Sequence, residues 1–266
     1  AGLSFNAGNG FSTTINLEKG PVQHIRAKYN DRNQTPIPIN GTDPYANVDG
    51  TRNPHYLTLR DVAPVIGWFY NPKLGQVWYE NRHNNTEVYS VRQMAEPAIP
   101  AAPKFGGLVI AKVPGMNGSD GNVFFGEWAP RKGNPPQNST DLNMADGKRT
   151  VWYVGDNPTR NMPKLVNAKY NVLGVNKHTP GRNDFYTGTL TANYGTGSGS
   201  LTGSISRPGD SVNFAGTNIR SNGTFDNGKA NEHITGRFYG SGAEALAGIV
   251  DRAGVDKDIA FGGRKQ

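Results

Sequence analysis

Apolar and polar residues alternate in short runs along this chain, and no stretch holds a helical period for long. Alternation over four to eight residues, broken by Gly, Pro, Asn and Asp, predicts half-buried strands joined by turns. The regular part begins at Arg149. Strands are expected over Arg149–Gly155, Leu165–Leu173, Asp184–Tyr194, Ser200–Ser206, Val212–Gly216, Gly223–Phe225, Glu232–Tyr239, Ala247–Asp251 and Asp258–Phe261. Their spacing suits an antiparallel sandwich or barrel. Four segments share a beat with Gly between larger apolar residues: Tyr186-x-Gly188-x-Leu190, Leu201-x-Gly203-x-Ile205, Ile234-x-Gly236-x-Phe238 and Leu246-x-Gly248-x-Val250. Period two puts glycine and apolar side chains on one face, as in a small sheet curling shut. Ser241 and Glu244 have capping-box spacing, which predicts a short helical turn before the strand at Ala247.

The N-terminal half is less regular. Asn30 to Pro54 reads as a long loop. His55 to Tyr70 is its most apolar stretch, with a short helix expected to stop near Pro64 and a strand over Val65–Tyr70. Further strands are expected over Gln76–Glu80, Glu87–Gln93, Phe105–Val113 and Asn122–Trp128, with a stiff connector over Pro97–Pro103. Lys132 to Asp146 reads as a linker. Residues 1–132 and 146–266 are therefore expected to form two domains. The fold class is mainly β.

Composition narrows the chemistry. Of 266 residues, 35 are Gly and 18 are Pro, which excludes helical bundles and doubly wound α/β folds. Cysteine is absent, and with it disulfides, thiolate metal sites and Cys nucleophiles. The 28 Lys and Arg exceed the 21 Asp and Glu, for a net charge of +7, but without the clustered basic runs of a nucleic-acid binder. No apolar run reaches the length of a membrane-spanning helix. The opening Ala1-Gly2-Leu3-Ser4 is not a signal peptide and reads as a mature or trimmed start.

No motif for catalysis survives inspection, and the expectation is that the chain is not an enzyme. Gly223 to Lys229 imitates a phosphate loop, but Ala230 follows it, and a hairpin turn through Asp226-Asn227-Gly228 fits better. Any haem or metal must be held by His, Met, Tyr or carboxylate. Of the five histidines, His24, His55 and His83 fall in the irregular N-terminal part among aromatic and basic residues. His178 reads as an exposed turn and His233 as the start of a strand. Trp68, Tyr70, Trp78 and Tyr79 fit a hydrophobic core or the walls of a flat cofactor, and Arg60 or Arg82 could hold acidic groups at its rim.

The C-terminal segment Gly236-Arg-Phe-Tyr-Gly-Ser-Gly-Ala-Glu-Ala-Leu-Ala-Gly-Ile-Val250, closing on Ile259-Ala-Phe-Gly-Gly-Arg-Lys-Gln266, resembles the end of the transferrin-binding-protein-B-like β-barrel. The likeness runs over about Arg149 to Gln266. It departs from the family pattern at Ser241-Gly242 and at Ala247. The resemblance implies an eight-stranded antiparallel barrel behind an N-terminal β-rich handle carrying the ligand site. It also implies export by a dedicated outer-membrane translocon of the Slam type in a Gram-negative bacterium, to the cell surface or the medium.

Within that group the single handle, the single barrel and the absence of a lipidated Cys are similar to secreted haemophores of the hemophilin type. That likeness implies haem b as cofactor, delivery to a TonB-dependent outer-membrane receptor, and haemoglobin as a source of haem. His83 is the first-choice axial ligand, His55 the second and His24 the third, with His83 and His55 as the pair that would hold the iron from opposite faces. The alternative within the group is a surface protein that binds a host partner such as transferrin, complement factor H or a host-cell ligand.

Overall fold

The computed structural model describes residues 2–7, 12–16, 55–58, 64–70, 72–94, 103–104, 106–116, 120–133 and 139–266. Eighteen strands are present among them: β1 Gly2–Ala7, β2 Ser12–Asn16, β3 His55–Thr58, β4 Lys73–Arg82, β5 Thr86–Gln93, β6 Pro103–Lys104, β7 Gly107–Lys112, β8 Val123–Ala129, β9 Thr150–Gly155, β10 Leu165–Val175, β11 Tyr186–Gly195, β12 Ser198–Arg207, β13 Asp210–Asn213, β14 Thr217–Arg220, β15 Thr224–Asp226, β16 His233–Tyr239, β17 Ala245–Asp251 and β18 Ile259–Lys265. One α-helix, α1, spans Pro64–Phe69. The chain is mainly β, as the alternation predicts.

Eight strands close into an antiparallel barrel in the order β10, β18, β17, β16, β15, β14, β12, β11 and back to β10, with β13 added beside β12. Closure follows from the sequence pattern. Tyr170, Val172, Tyr186, Leu190, Leu201, Ile205, Ile234, Phe238, Leu246, Val250, Ile259 and Phe261 point inward and are fully buried or nearly so. Phe225, Phe238 and Tyr170 meet edge to face at 5.5–5.6 Å, and Phe214 meets Phe261 at 5.1 Å. Edge-to-face contact is the favoured geometry for such rings. The repeated glycines make room for them. A Cβ on Gly236 would lie 2.4 Å from the Phe225 ring, and one on Gly248 would lie 2.6 Å from Phe261.

The second unit is a six-stranded antiparallel sheet in the order β3-β4-β5-β7-β8-β9. One face packs on the outside of the barrel. Val88, Val109, Ala111, Val113, Val123 and Phe125 meet Leu173, Val175, Ala245, Ala247 and Ala260. Small residues on the barrel wall let the sheet approach closely: a Cβ on Gly262 would stand 2.5 Å from the Phe125 ring. The other face, with Tyr89, Leu108, Ile110, Phe124 and Trp152, is buried as well. A third sheet, β2-β1-β6, involves the chain start.

Several expectations are corrected. Val65–Tyr70 is not a strand; Pro64 starts a helix there, because proline fits the first helical position. The strand at Arg149–Gly155, expected with the barrel, pairs with β8 in the six-stranded sheet. The segment after Ser241 forms no helical turn. The Glu244 carboxylate accepts from Gly242 N at 3.0 Å, and β17 begins at Ala245. β14 was not anticipated, because its four residues alternate too briefly to stand out from turn sequence. The loop expected over Asn30–Pro54 lies outside the described residues, as does nearly all of the Pro97–Pro103 connector.

A barrel interior this tight gives a direct expectation. Gly248→Val should destabilise the protein by about 1–3 kcal/mol through overpacking against Phe261 and Thr235, read as a lower urea midpoint with an unchanged slope.

Candidate functional site

The sequence candidates fall on two structural settings. The first is the hairpin β3–α1–β4. His55 opens β3, with its Cα opposite that of Val77 on β4. Between the two strands, α1 and the residue after it present Val65, Ile66, Trp68, Phe69 and Tyr70 to solvent, with Trp68 71% and Phe69 86% exposed. Large apolar side chains exposed together on one short element are characteristic of a ligand or partner site. Tyr79 sits opposite Tyr89 in the β4–β5 register. His24 and Arg60 lie outside the described residues, and the side chains of His55 and Tyr79 do as well.

The second setting is the turn at the far end of β4. His83 begins a tight 3-10 turn over His83–Asn85, in which Asn84 and Asn85 have φ of 54° and 62°. Asparagine tolerates this left-handed region better than most residues. The imidazole is exposed, and its Nε2 lies 3.3 Å from Asn84 Nδ2. His83 stands six positions along β4 from Val77, the partner of His55. At about 3.3 Å per residue that is roughly 20 Å. The fold does not bring His55 and His83 together on one iron.

Trp78 and Arg82 belong to neither setting. Both are buried on the barrel-facing side of β4 together with Glu80. Arg82 donates from Nε to Glu80 Oε1 at 2.9 Å and from Nη2 to the carbonyl of Arg182 at 3.2 Å. Its guanidinium serves the seam between sheet and barrel.

That seam holds the most concentrated polar chemistry among the described residues, and the sequence reading missed it. His178, expected in an exposed turn, is fully buried. Its Nε2 donates to Glu80 Oε2 at 2.6 Å and its Nδ1 to Asp184 Oδ1 at 2.5 Å. The ring stacks on Phe185 with centroids 4.3 Å apart. Burial alone would make this imidazole less basic. The negative charge of Glu80, with hydrogen bonds to Asp184 and Glu80, outweighs it and pushes the pKa up to about 9.

Around this centre the β10–β11 loop is fastened by side chains of the sheet. Glu127 accepts from the backbone N–H of Lys177 and of His178, both at 2.8 Å, and pairs with Arg149 at 2.5 Å. Arg92 donates to the His178 carbonyl at 3.0 Å. A signal was present in the sequence. Trp78-x-Glu80-x-Arg82 and Val123-x-Phe125-x-Glu127 carry charges in phase with apolar residues, which places them on a buried face.

The other sequence-level histidine, His233, bonds Asp226 at 3.0 Å on the barrel surface. Among the described residues no group of three or more His, Asp and Glu side chains is arranged to hold a metal ion, and no helix is long and apolar enough to cross a membrane.

The pairing of His178 sets a pH dependence. An imidazole more basic when folded than its ordinary 6.5 stabilises the fold fully below that value and loses this contribution as pH climbs through about 9. Urea midpoints should therefore fall between pH 7 and pH 9.5. His178→Ala should flatten that slope and cost about 3 kcal/mol at pH 7, because it leaves Glu80 buried beside one partner fewer.

Compared with known proteins, residues 160–265 match the family described as the HphA C-terminal domain, so the barrel of this chain is similar to the C-terminal domain of hemophilin-type proteins.

Proposed function

We propose that this protein is a haemophore of the hemophilin type, which carries haem b rather than catalysing a reaction. The observation that supports this most directly is the exposure of five large apolar side chains on and just after α1: Val65, Ile66, Trp68, Phe69 and Tyr70. Haem needs a broad apolar and aromatic face together with one or two neutral imidazoles, and this hairpin offers both kinds of residue. His178 and His233 are committed to carboxylates, which leaves His24, His55 and His83 for iron.

His55 takes first place because it shares the hairpin with α1, whereas His83 sits at the other end of β4. His24 would be the second ligand if there are two. Trp68, Tyr70 and Tyr79 would cover the faces of the macrocycle, and Arg60 would hold propionates by charge-assisted hydrogen bonds. Arg82 and Trp78 would support the site from inside the seam. Bound haem supplies an iron atom that accepts imidazole nitrogen.

The ligand unit in this reading reaches through β9, beyond the 1–132 span that composition suggests, and the barrel follows it. Export through a Slam-type outer-membrane translocon to the cell surface or medium, a barrel of the transferrin-binding-protein-B kind, haemoglobin as source and a TonB-dependent receptor as recipient complete the proposal.

Haem titration tests it. The wild-type protein should develop a shifted, intensified Soret band. His55→Ala should weaken binding at least tenfold, Trp68→Ala several-fold, and His83→Ala should leave it unchanged. A wild-type protein with no Soret shift overturns the reading. Loss in His83→Ala with normal binding in His55→Ala overturns the axial assignment.

A further inference from the structure

A groove of about 340 Å³ lies at the seam on the His83 side, lined by Asn84, Asn85, Pro114, Gly115, Asn171, Arg264 and Lys265. We propose that it is an oxyanion seat that takes a carboxylate group, with Arg264 as its main donor. The argument starts from Arg264. Its stem lies across Gly115, where a Cβ would come within 2.9 Å of Cδ, and Gly115 has a φ of 70°. A glycine at that turn is therefore what lets the side chain lie flat. The guanidinium then reaches Met116 Sδ at 3.3 Å. A thioether is a weak acceptor, and an arginine offers five N–H donors. Among the described residues Arg264 forms no ion pair with a carboxylate, unlike Arg82, Arg149 and Arg252. The result is a positioned, half-exposed guanidinium with most of its donors open.

The rest of the groove has matching polarity. Lys265 lies on the opposite phase of β18, where its Nζ donates to the Gly242 carbonyl at 2.8 Å, so Arg264 carries the positive charge of the groove. Asn171 uses its side-chain carbonyl to accept from Gln266 Nε2 at 2.8 Å, which leaves its own N–H groups for a ligand. Asn84 and Asn85 line the groove in consecutive left-handed conformations, the Asn84 amide lying 3.3 Å from His83 Nε2. Among the described residues no acidic side chain lines the groove. A planar guanidinium beside the Asn171 amide matches a carboxylate, which an arginine binds through two parallel hydrogen bonds. Neither α1 nor His55 takes part, so the seat does not depend on haem binding.

Amide shifts of the full-length protein test the seat. On titration with sodium acetate, shifts should concentrate at residues 84–85, 115–116 and 264–265 and saturate, while sodium chloride at equal ionic strength should not reproduce them. A second arm uses a short blocked peptide containing Asp and Glu. Saturation at lower concentration than acetate assigns the seat to an acidic protein segment, and saturation by acetate alone assigns it to a small carboxylate. Arg264→Met should weaken either response at least tenfold, and Arg264→Lys should recover only part of it. Absence of localised shifts with both probes, or an unchanged response in Arg264→Met, overturns the proposal.

Discussion

Charge placed out of water has to be paired, and the seam between sheet and barrel buries Glu80, Arg82, Glu127, Arg149 and His178 together. The imidazole of His178 is the centre of this arrangement. It donates to carboxylates on both sides at once, one from β4 of the sheet and one from its own loop. Apolar packing between Phe125, Val109 and the alanines of β17 and β18 brings the two surfaces together. Such packing is non-directional. The ionic centre sets which register and which rotation of sheet on barrel pairs the buried carboxylates with His178, Arg82 and Arg149.

That division of labour explains what the sequence made legible. The barrel was readable because its interior is written in period two, with glycines beside Phe225 and Phe261 where rings need space. The strands of the sheet were readable for the same reason. Its membership was not: β9 follows a loop that looks like a domain linker, and its pairing with β8 is a long-range contact that no local pattern encodes. His178 was misread because Asn-Lys-His-Thr-Pro-Gly is turn sequence, and it does form a turn. The turn is buried because Glu80 and Glu127, distant in sequence, supply acceptors for its backbone and ring.

For the ligand site, the residue types were legible and their grouping was not. Trp68 and Trp78 look alike in sequence, yet one is 71% exposed and the other is packed inside the seam. Arg82, adjacent to His83, turns back to Glu80 because it lies on the inward phase of β4. His55 and His83 flank the same aromatic stretch in sequence, and the extended strand between them holds them apart.

The shared seam also bears on how such a chain could diversify. A barrel that carried its own finished outer surface could be joined to any ligand-binding unit. This one leaves Leu173, Val175 and Ala260 needing apolar cover, and its β10–β11 loop needing carboxylates from another element. A replacement head would have to bring acidic residues at the inward positions held by Glu80 and Glu127. The barrel is thereby not a neutral platform: the sheet that covers it also completes its β10–β11 loop.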